Sequence, residues 1–448
     1  MYRLLAEVDR SPLSELLPFE VAGALLAALA QQQPTFRRVF GLIGGAVAKA
    51  VSTTFIILVV AAFFARHVLD NKNTIAKTHS PEIVQARMLA RFEAGSVIPR
   101  FEKYHVSRPD AVAMLQKVLR PAPLETYTVV VGEVGCGKTS AVHDAIRANS
   151  TGIVYHIVKS EVLVSMPGLL AGSLAFEFNQ FTFTAGYFKD RGIEMHQIAS
   201  AEEPFKSWAI LELGLRDVAA QFKAKHGHVA TLVIDAVDQI AQQGPALLHV
   251  IQNFAKAAAD EQLLNVVLVT CDGSNLPELK ASSAMTRARI VEVSDITDEQ
   301  AVDFLLHRGV NEDSAKRAVA EIAGGRFVLL NRVTKQLGRG QQVNQIFEEF
   351  RVDTADSLQR LIDDLALYNA TSDVHKTLCD LTHGALHIDI VHCALGKDLT
   401  KKLLATNINI LAYHPNDTYT LHSRHVQRSV STLLNCTRPL GRPLFLAS

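Results

Sequence analysis

The spacing of apolar positions divides the chain into regions of different character. The first eighty residues carry long apolar runs. Leu13–Leu29 is rich in Ala and Leu but is broken by Glu15, Pro18 and Glu20, and Val39–Ala65 holds a single charge, Lys49. From about residue 97 the pattern shortens and alternates. Tyr127–Val131, Ile153–Val158, Thr231–Ile234, Val266–Thr270 and Ala288–Val293 are continuous apolar runs of strand length, which suits strands buried on both faces. Helical patterns separate them, notably Thr139–Arg147, Phe205–Lys225 and Pro245–Asp260. Strands joined by helical crossovers predict an α/β fold with a parallel five-stranded sheet covered on both sides.

Past Asp295 the strands stop. Helices are predicted over Asp298–His307, Asn311–Ala323, Phe327–Leu337 and Gln345–Leu367, with Gly324-Gly325 as a break. The last segment reads as three short helices, Ser372–Leu381, Ile388–Leu395 and Leu399–Ala405. Two alternating runs follow, Ile408–His414 and Thr418–Ser423, around the turn Pro415-Asn416-Asp417. Three helices and a hairpin make a winged-helix-like pattern. The predicted organisation is an N-terminal helical segment (1–46), a transmembrane helix (47–69), a linker (70–96), the α/β core (97–295), a helical lid (296–368), the winged-helix-like domain (369–435) and a tail (436–448).

The transmembrane expectation rests on length. A bilayer core needs about 20 apolar residues at a rise of about 1.5 Å each. Ala50–Ala65 is uncharged, and the preceding alanines, with Lys49 snorkelling near the end, complete a span. A cleaved secretory signal is not expected, because the run starts late and acids precede it. Glu7, Asp9, Glu15 and Glu20 also stand where a mitochondrial transit peptide avoids acids.

Composition narrows the picture. In 448 residues, 48% hydrophobic and 20% charged, a large core can be buried. Lys+Arg and Asp+Glu are both 45, which excludes a globally basic nucleic-acid coat. Five scattered Cys with no CxxC pair argue against a disulfide framework and a structural zinc, and favour a reducing compartment.

The chemistry concentrates after the first strand. Gly132-Glu133-Val134-Gly135-Cys136-Gly137-Lys138-Thr139 fits GxxxxGK[ST] between a strand and a helix, and Ser140 follows it. Its glycines let backbone N–H groups approach phosphates, and the helix N-terminus adds positive potential. Lys138 is expected at the β- and γ-phosphates of ATP and Thr139 on Mg²⁺. Cys136 reads as a small spacer, with a thiol activated by the helix end as the alternative. Thr231-Leu232-Val233-Ile234-Asp235 is a second apolar strand ending in a carboxylate, the position that holds Mg²⁺ through water. Ala236 stands where many hydrolysing relatives carry the glutamate that polarises water. Asp238 is the next carboxylate, a base or a helix cap. Thr270, at the end of its strand, is the candidate γ-phosphate sensor. Arg287 and Arg289 are candidates for an arginine finger toward a neighbouring subunit, and Arg108 for a contact over the adenine.

These motifs resemble the additional-strand class of P-loop NTPases. Within it the chain resembles STAND and archaeal-type ATPases, close to AAA+ and Orc/Cdc6. The Arg108-Pro109 helix, Gly324-Gly325-Arg326-Phe327-Val328-Leu329-Leu330 in the lid and the winged-helix-like tail carry that narrower likeness. The resemblance implies a nucleotide-controlled switch, with ATP closing the lid and ADP releasing it. It does not by itself say what is switched; protein partners and a homo-oligomer are further expectations. The expectation is therefore a single-pass, membrane-anchored ATP-binding protein with its nucleotide domain facing the cytosol or mitochondrial matrix. Ala236 leaves slow hydrolysis and binding without hydrolysis both open. An Orc/Cdc6-like DNA binder is the third alternative. It is disfavoured because Lys397, Lys401, Lys402, Arg424 and Arg428 are balanced by Asp380, Asp389, Asp398 and Asp417. His375, His383, His387, His392, His414, His422 and His425 lack a metal-ligand spacing and read as surface or partly buried side chains.

Overall fold

The computed structural model describes residues 81–98, 106–122, 124–158, 166–176, 205–270, 276–366, 371–405 and 410–436. The expected membrane span lies outside them. Among the described residues no helix is long and apolar enough to cross a membrane.

Helix α1 (Pro81–Ala94) opens the described chain. It corrects the expected linker, because Val84, Met88 and Phe92 are buried and join the main apolar cluster. The sheet and its crossovers follow as α2 (Pro109–Leu119), β1 (Tyr127–Val131), α3 (Lys138–Ala148), β2 (Ile153–Ile157), α4 (Met166–Ser173), α5 (Phe205–His226), β3 (Ala230–Asp235), α6 (Asp238–Gln243), α7 (Pro245–Asp260), β4 (Leu264–Val269), α8 (Leu276–Ala281) and β5 (Ala288–Glu292). All five expected strands are present within two residues of their predicted ends. They pair in parallel in the order β2-β3-β4-β1-β5.

Every residue of β1, β3 and β4 is buried, which is why these strands read as unbroken apolar runs. One face packs on α5 and α7 through Leu211, Leu215, Phe222, Ile251 and Phe254. The other packs on α2 and α3 through Leu115, Val118, Val142 and Ile146.

The helical unit after the sheet has its own core of Phe304, Leu305, Ile322, Leu330, Ile346 and Phe350. It comprises α9 (Asp298–His307), α10 (Glu312–Ala318, continuing as a π turn through Ala323), α11 (Phe327–Leu337) and α12 (Val343–Ala366). Thr297 and Gln300 close a capping box on α9. Gly325 is forced by space, since a Cβ there would stand 1.7 Å from the Ile296 carbonyl oxygen.

The C-terminal unit runs α13 (Thr371–His383), β6 (Leu386–His387), α14 (Ile388–Leu395), α15 (Lys397–Ala405), β7 (Leu411–His414), β8 (Thr418–Leu421) and α16 (Arg424–Leu433). The expected hairpin is there, and β6 extends it to an antiparallel sheet ordered β6-β8-β7. One sequence expectation is overturned here. Cys379 and Cys436 form a disulfide, with Cα atoms 5.3 Å apart across 57 residues of sequence.

Candidate functional site

The site is built at the carboxyl ends of the central strands. β1 runs into the loop Gly132–Gly137, and α3 begins at Lys138. The loop's glycines answer to space as well as to phosphate. Gly132, Gly135 and Gly137 all have positive φ. A Cβ at Gly135 would meet Val328 at 2.5 Å, and one at Gly137 would meet the Phe327 ring at 2.9 Å. The lid helix α11 therefore lies directly on the loop, and the Val328 N–H donates to the Gly135 carbonyl at 3.3 Å. Val134, at the tip, is 40% exposed, and Ser140 is half-buried in the first turn of α3.

Lys138 is 4% exposed. Its ammonium donates to the carbonyls of Gly132 at 2.6 Å and Glu133 at 2.7 Å. It is folded onto the loop's own backbone, within a short swing of any phosphate the loop receives. Thr139 Oγ1 donates to Asp235 Oδ2 at 3.0 Å, so the two expected metal-binding oxygens are already together. The Asp235 carboxylate is fully buried. Its Oδ1 accepts from the Ala236 N–H at 2.7 Å, and its Oδ2 also accepts from the Tyr155 hydroxyl at 2.7 Å. A hydroxyl and a carboxylate are the oxygen donors a hard cation such as Mg²⁺ takes.

The sheet order explains why Thr270 belongs here. β4 lies between β3, which ends in Asp235, and β1, which ends in the loop. Thr270 follows β4 directly, is fully buried, and its N–H donates to the Val130 carbonyl at 3.0 Å. Asp238 is 4% exposed in the first turn of α6, where Gln239 Nε2 donates to it at 3.0 Å. Ala236 sits at φ 61°, a left-handed conformation that costs a non-glycine residue about 1–2 kcal/mol.

Three more of the expected residues take definite positions. Arg108 is a clamp, donating to the Cys136 carbonyl at 2.9 Å and the Ser294 carbonyl at 2.7 Å. It ties the phosphate loop to the segment after β5 and lines a cavity of about 300 Å³ with Pro109, Met114, Ser294, Thr297 and Gln300. The Cys136 thiol is 1% exposed and lies 3.1 Å from the Val293 carbonyl. Burial pushes it up, against the activation that a helix N-terminus alone implies. Arg287 precedes β5, whose first residue pairs with the first residue of β1. It is thus at the opposite end of the strands from the loop, paired with Asp260 at 3.1 Å, and Arg289 is exposed on β5.

The structure also brings to the site residues for which no role there was expected. Arg326 is 5% exposed and joined to Asp295 at 2.9 Å. It donates through Nη1 to His422 Nε2. That same His422 nitrogen lies 3.5 Å from Glu133 Oε2 inside the loop. Burial and Arg326 hold His422 well below the ordinary imidazole value, so its contact with Glu133 is that of a neutral ring and not an ion pair. His422 was expected to be at the surface or partly buried. The hairpin carries it inward, and no spacing in the sequence signals that. Among the described residues no group of three or more His, Cys, Asp or Glu side chains is placed to hold a metal ion.

No protein-family model matches this chain, and no curated protein does. Solved structures are similar only distantly. A Walker-type ATPase of Pyrococcus abyssi aligns over 76% of this chain and 99% of its own, at 17% identity and a TM-score of 0.43. An Orc1 protein of Aeropyrum pernix in complex with DNA aligns over 74% and 94%, at 16% and 0.36. The Hsp104–ADP complex of S. cerevisiae aligns over 78% and 40%, at 14% and 0.33. At these values none of the three bears on what this chain binds. Its own strand order, phosphate loop and strand-end carboxylate have the arrangement of the P-loop NTPase fold.

Proposed function

We propose that this chain binds ATP with Mg²⁺, hydrolyses it slowly, and uses the bound nucleotide to control the position of its lid and its winged-helix-like C-terminal domain. The observation that carries the reading is Thr139 on Asp235 at 3.0 Å, directly behind a lysine-bearing phosphate loop. Loop N–H groups and the start of α3 suit a polyanion. Lys138 would exchange its loop carbonyls for β- and γ-phosphate oxygens. Thr139 and Asp235 would hold Mg²⁺, which when bound neutralises charge on the phosphates. The cavity beside Arg108 has room for the base. Thr270 is placed for the γ-phosphate, and Asp238 is the nearest candidate to orient water. Without a glutamate at position 236 the general base is displaced, a loss of roughly 10²–10⁴ in rate.

The switch rests on His422 and Arg326. A C-terminal side chain beside Glu133 makes the docked position of that domain sensitive to what the loop holds. The proposal keeps residues 47–69 as a membrane anchor, with the nucleotide domain in the cytosol or mitochondrial matrix. It keeps a homo-oligomer in which the half-exposed Arg287 faces a neighbour, and protein partners in preference to nucleic acid. A second reading, an ATP-gated scaffold with negligible turnover, is favoured by Ala236 alone.

The test is ATP binding and phosphate release by the full chain and its Lys138→Ala variant. The parent is expected to bind and turn over slowly, and the variant to do neither. Binding undiminished in the variant would refute the site, and lysine-dependent binding without turnover would select the scaffold. For the anchor, the full chain should float with phospholipid vesicles and a chain lacking 47–69 should not.

A further inference from the structure

Tyr155 belongs to none of the nucleotide motifs, yet it makes one of the shortest hydrogen bonds to the site's central carboxylate. It sits in the edge strand β2, in register with Val233, two residues before Asp235. Paired residues in a sheet face the same side, and Tyr155 accordingly packs on the cluster of Val142, Ile146 and Val233 beneath α3. Its N–H donates to Ser96 Oγ at 2.7 Å, which fixes the strand's outer edge. The ring of His143, one turn beyond Thr139 on α3, stands edge-on to it at 4.8 Å. Held this way, the phenol reaches along the strand to Asp235 Oδ2.

A carboxylate offers about four lone-pair sites. Three are occupied here, one on Oδ1 by the Ala236 N–H and two on Oδ2 by Thr139 and Tyr155. That arrangement fixes the plane of the carboxylate and leaves one direction open. It also leaves Thr139 free to present its own lone pairs to a cation while its proton stays on Asp235.

We propose that Tyr155 is a positioning residue for the divalent cation, holding Asp235 in the orientation that accepts a cation-bound water. The inference rests on the nucleotide reading above and assigns a residue outside the loop to its metal half. Partners that orient a metal ligand are typically worth 10–100-fold in metal affinity. Lys138 and the loop N–H groups make up the phosphate half of the site.

The experiment measures binding of N-methylanthraniloyl-ATP to the full chain by fluorescence, in MgCl₂ and separately in EDTA. The parent, Tyr155→Phe and Lys138→Ala are compared, and a melting curve is taken for each. Tyr155→Phe keeps the ring and its packing. It is expected to need about ten-fold more Mg²⁺ for half-maximal enhancement of binding, with affinity in EDTA unchanged. A merely structural tyrosine would move the melting curve or both affinities together, and either result overturns the assignment. So does an unaltered Mg²⁺ requirement. If the parent itself fails to bind the analogue, or binds no better than Lys138→Ala, the nucleotide reading falls and this inference falls with it.

Discussion

Buried imidazoles make the molecule sensitive to acid residue by residue. His143, His392, His422 and His425 are all held below the ordinary value, each chiefly by desolvation. His425 lies under the Phe350 ring and is pushed down to about 4. In the unfolded chain such rings take a proton near pH 6.5. Between that pH and the folded value the unfolded state binds more protons, so stability is complete above about 6.5 and is lost as pH falls. For His425, 4% exposed, the window down to about 4 removes about 3 kcal/mol. His414 has the opposite sign. Its hydrogen bond with Glu292 at 2.8 Å raises it, so its contribution is full below about 6.5 and fades as pH rises through the raised value. Among the described residues the lowered rings outnumber the raised one, so the protein is expected to lose stability steadily below pH 6. Denaturant melts at pH 7, 6 and 5 should show the loss, and His425→Gln should flatten it by the slope of one proton. An unchanged slope would mean that this ring is already protonated in the folded state.

At the scale of elements, glycines show where shape is imposed and where it is incidental. Gly325→Ala drives a Cβ into the Ile296 carbonyl and should cost about 1–3 kcal/mol by overpacking. Gly168→Ala, in α4 with nothing within 4 Å, should instead stabilise by up to about 1 kcal/mol. Thermal melts of the two variants check the pair, and equal effects would deny the steric argument. The same contrast explains what could be read from sequence. Buried parallel strands announce themselves as apolar runs, and a phosphate loop needs glycines and a lysine at fixed spacing, so Lys138, Thr139 and Asp235 were legible. The order β2-β3-β4-β1-β5 that sets Thr270 between them was not legible, because strand order is set by long-range pairing. α1 was missed because its apolar residues, Val84, Met88 and Phe92, sit among charges and follow a polar stretch. The disulfide was missed because α13 and α16 pack side by side only after folding. Tyr155 and His422 carry no spacing signal at all, since each reaches the site from an element with its own structural reason to exist.

Over the whole described molecule, the C-terminal unit contacts both the lid and the sheet, each through packing and ion pairs. Toward the lid, the His425 ring of α16 meets Phe350 of α12, and Arg424 pairs with Asp298 of α9 at 2.7 Å. Toward the sheet, the hairpin shares the main apolar cluster with α8 through Leu411, Tyr413, Leu276 and Leu279, and ionisable pairs add to that contact. Lys280 meets Asp417 at 2.6 Å and His414 meets Glu292 at 2.8 Å. The partners are partly exposed, and such pairs are worth at most about 1 kcal/mol each and are screened by salt. Apolar burial is not screened. Salt should therefore weaken only the ionisable pairs, as the Debye length shrinks to about 3 Å at 1 M. In 1 M NaCl, hydrogen exchange is expected to quicken in β7, β8 and α8, while the facing surfaces of α12 and α16 stay protected. A lid and C-terminal unit that remain joined while both loosen from the sheet form the single body that a nucleotide at Lys138 would need to move. If α12 and α16 exchange first instead, the lid is the fixed part and the C-terminal unit swings alone, which would relocate the switch from the Glu133–His422 contact to the α12–α16 seam.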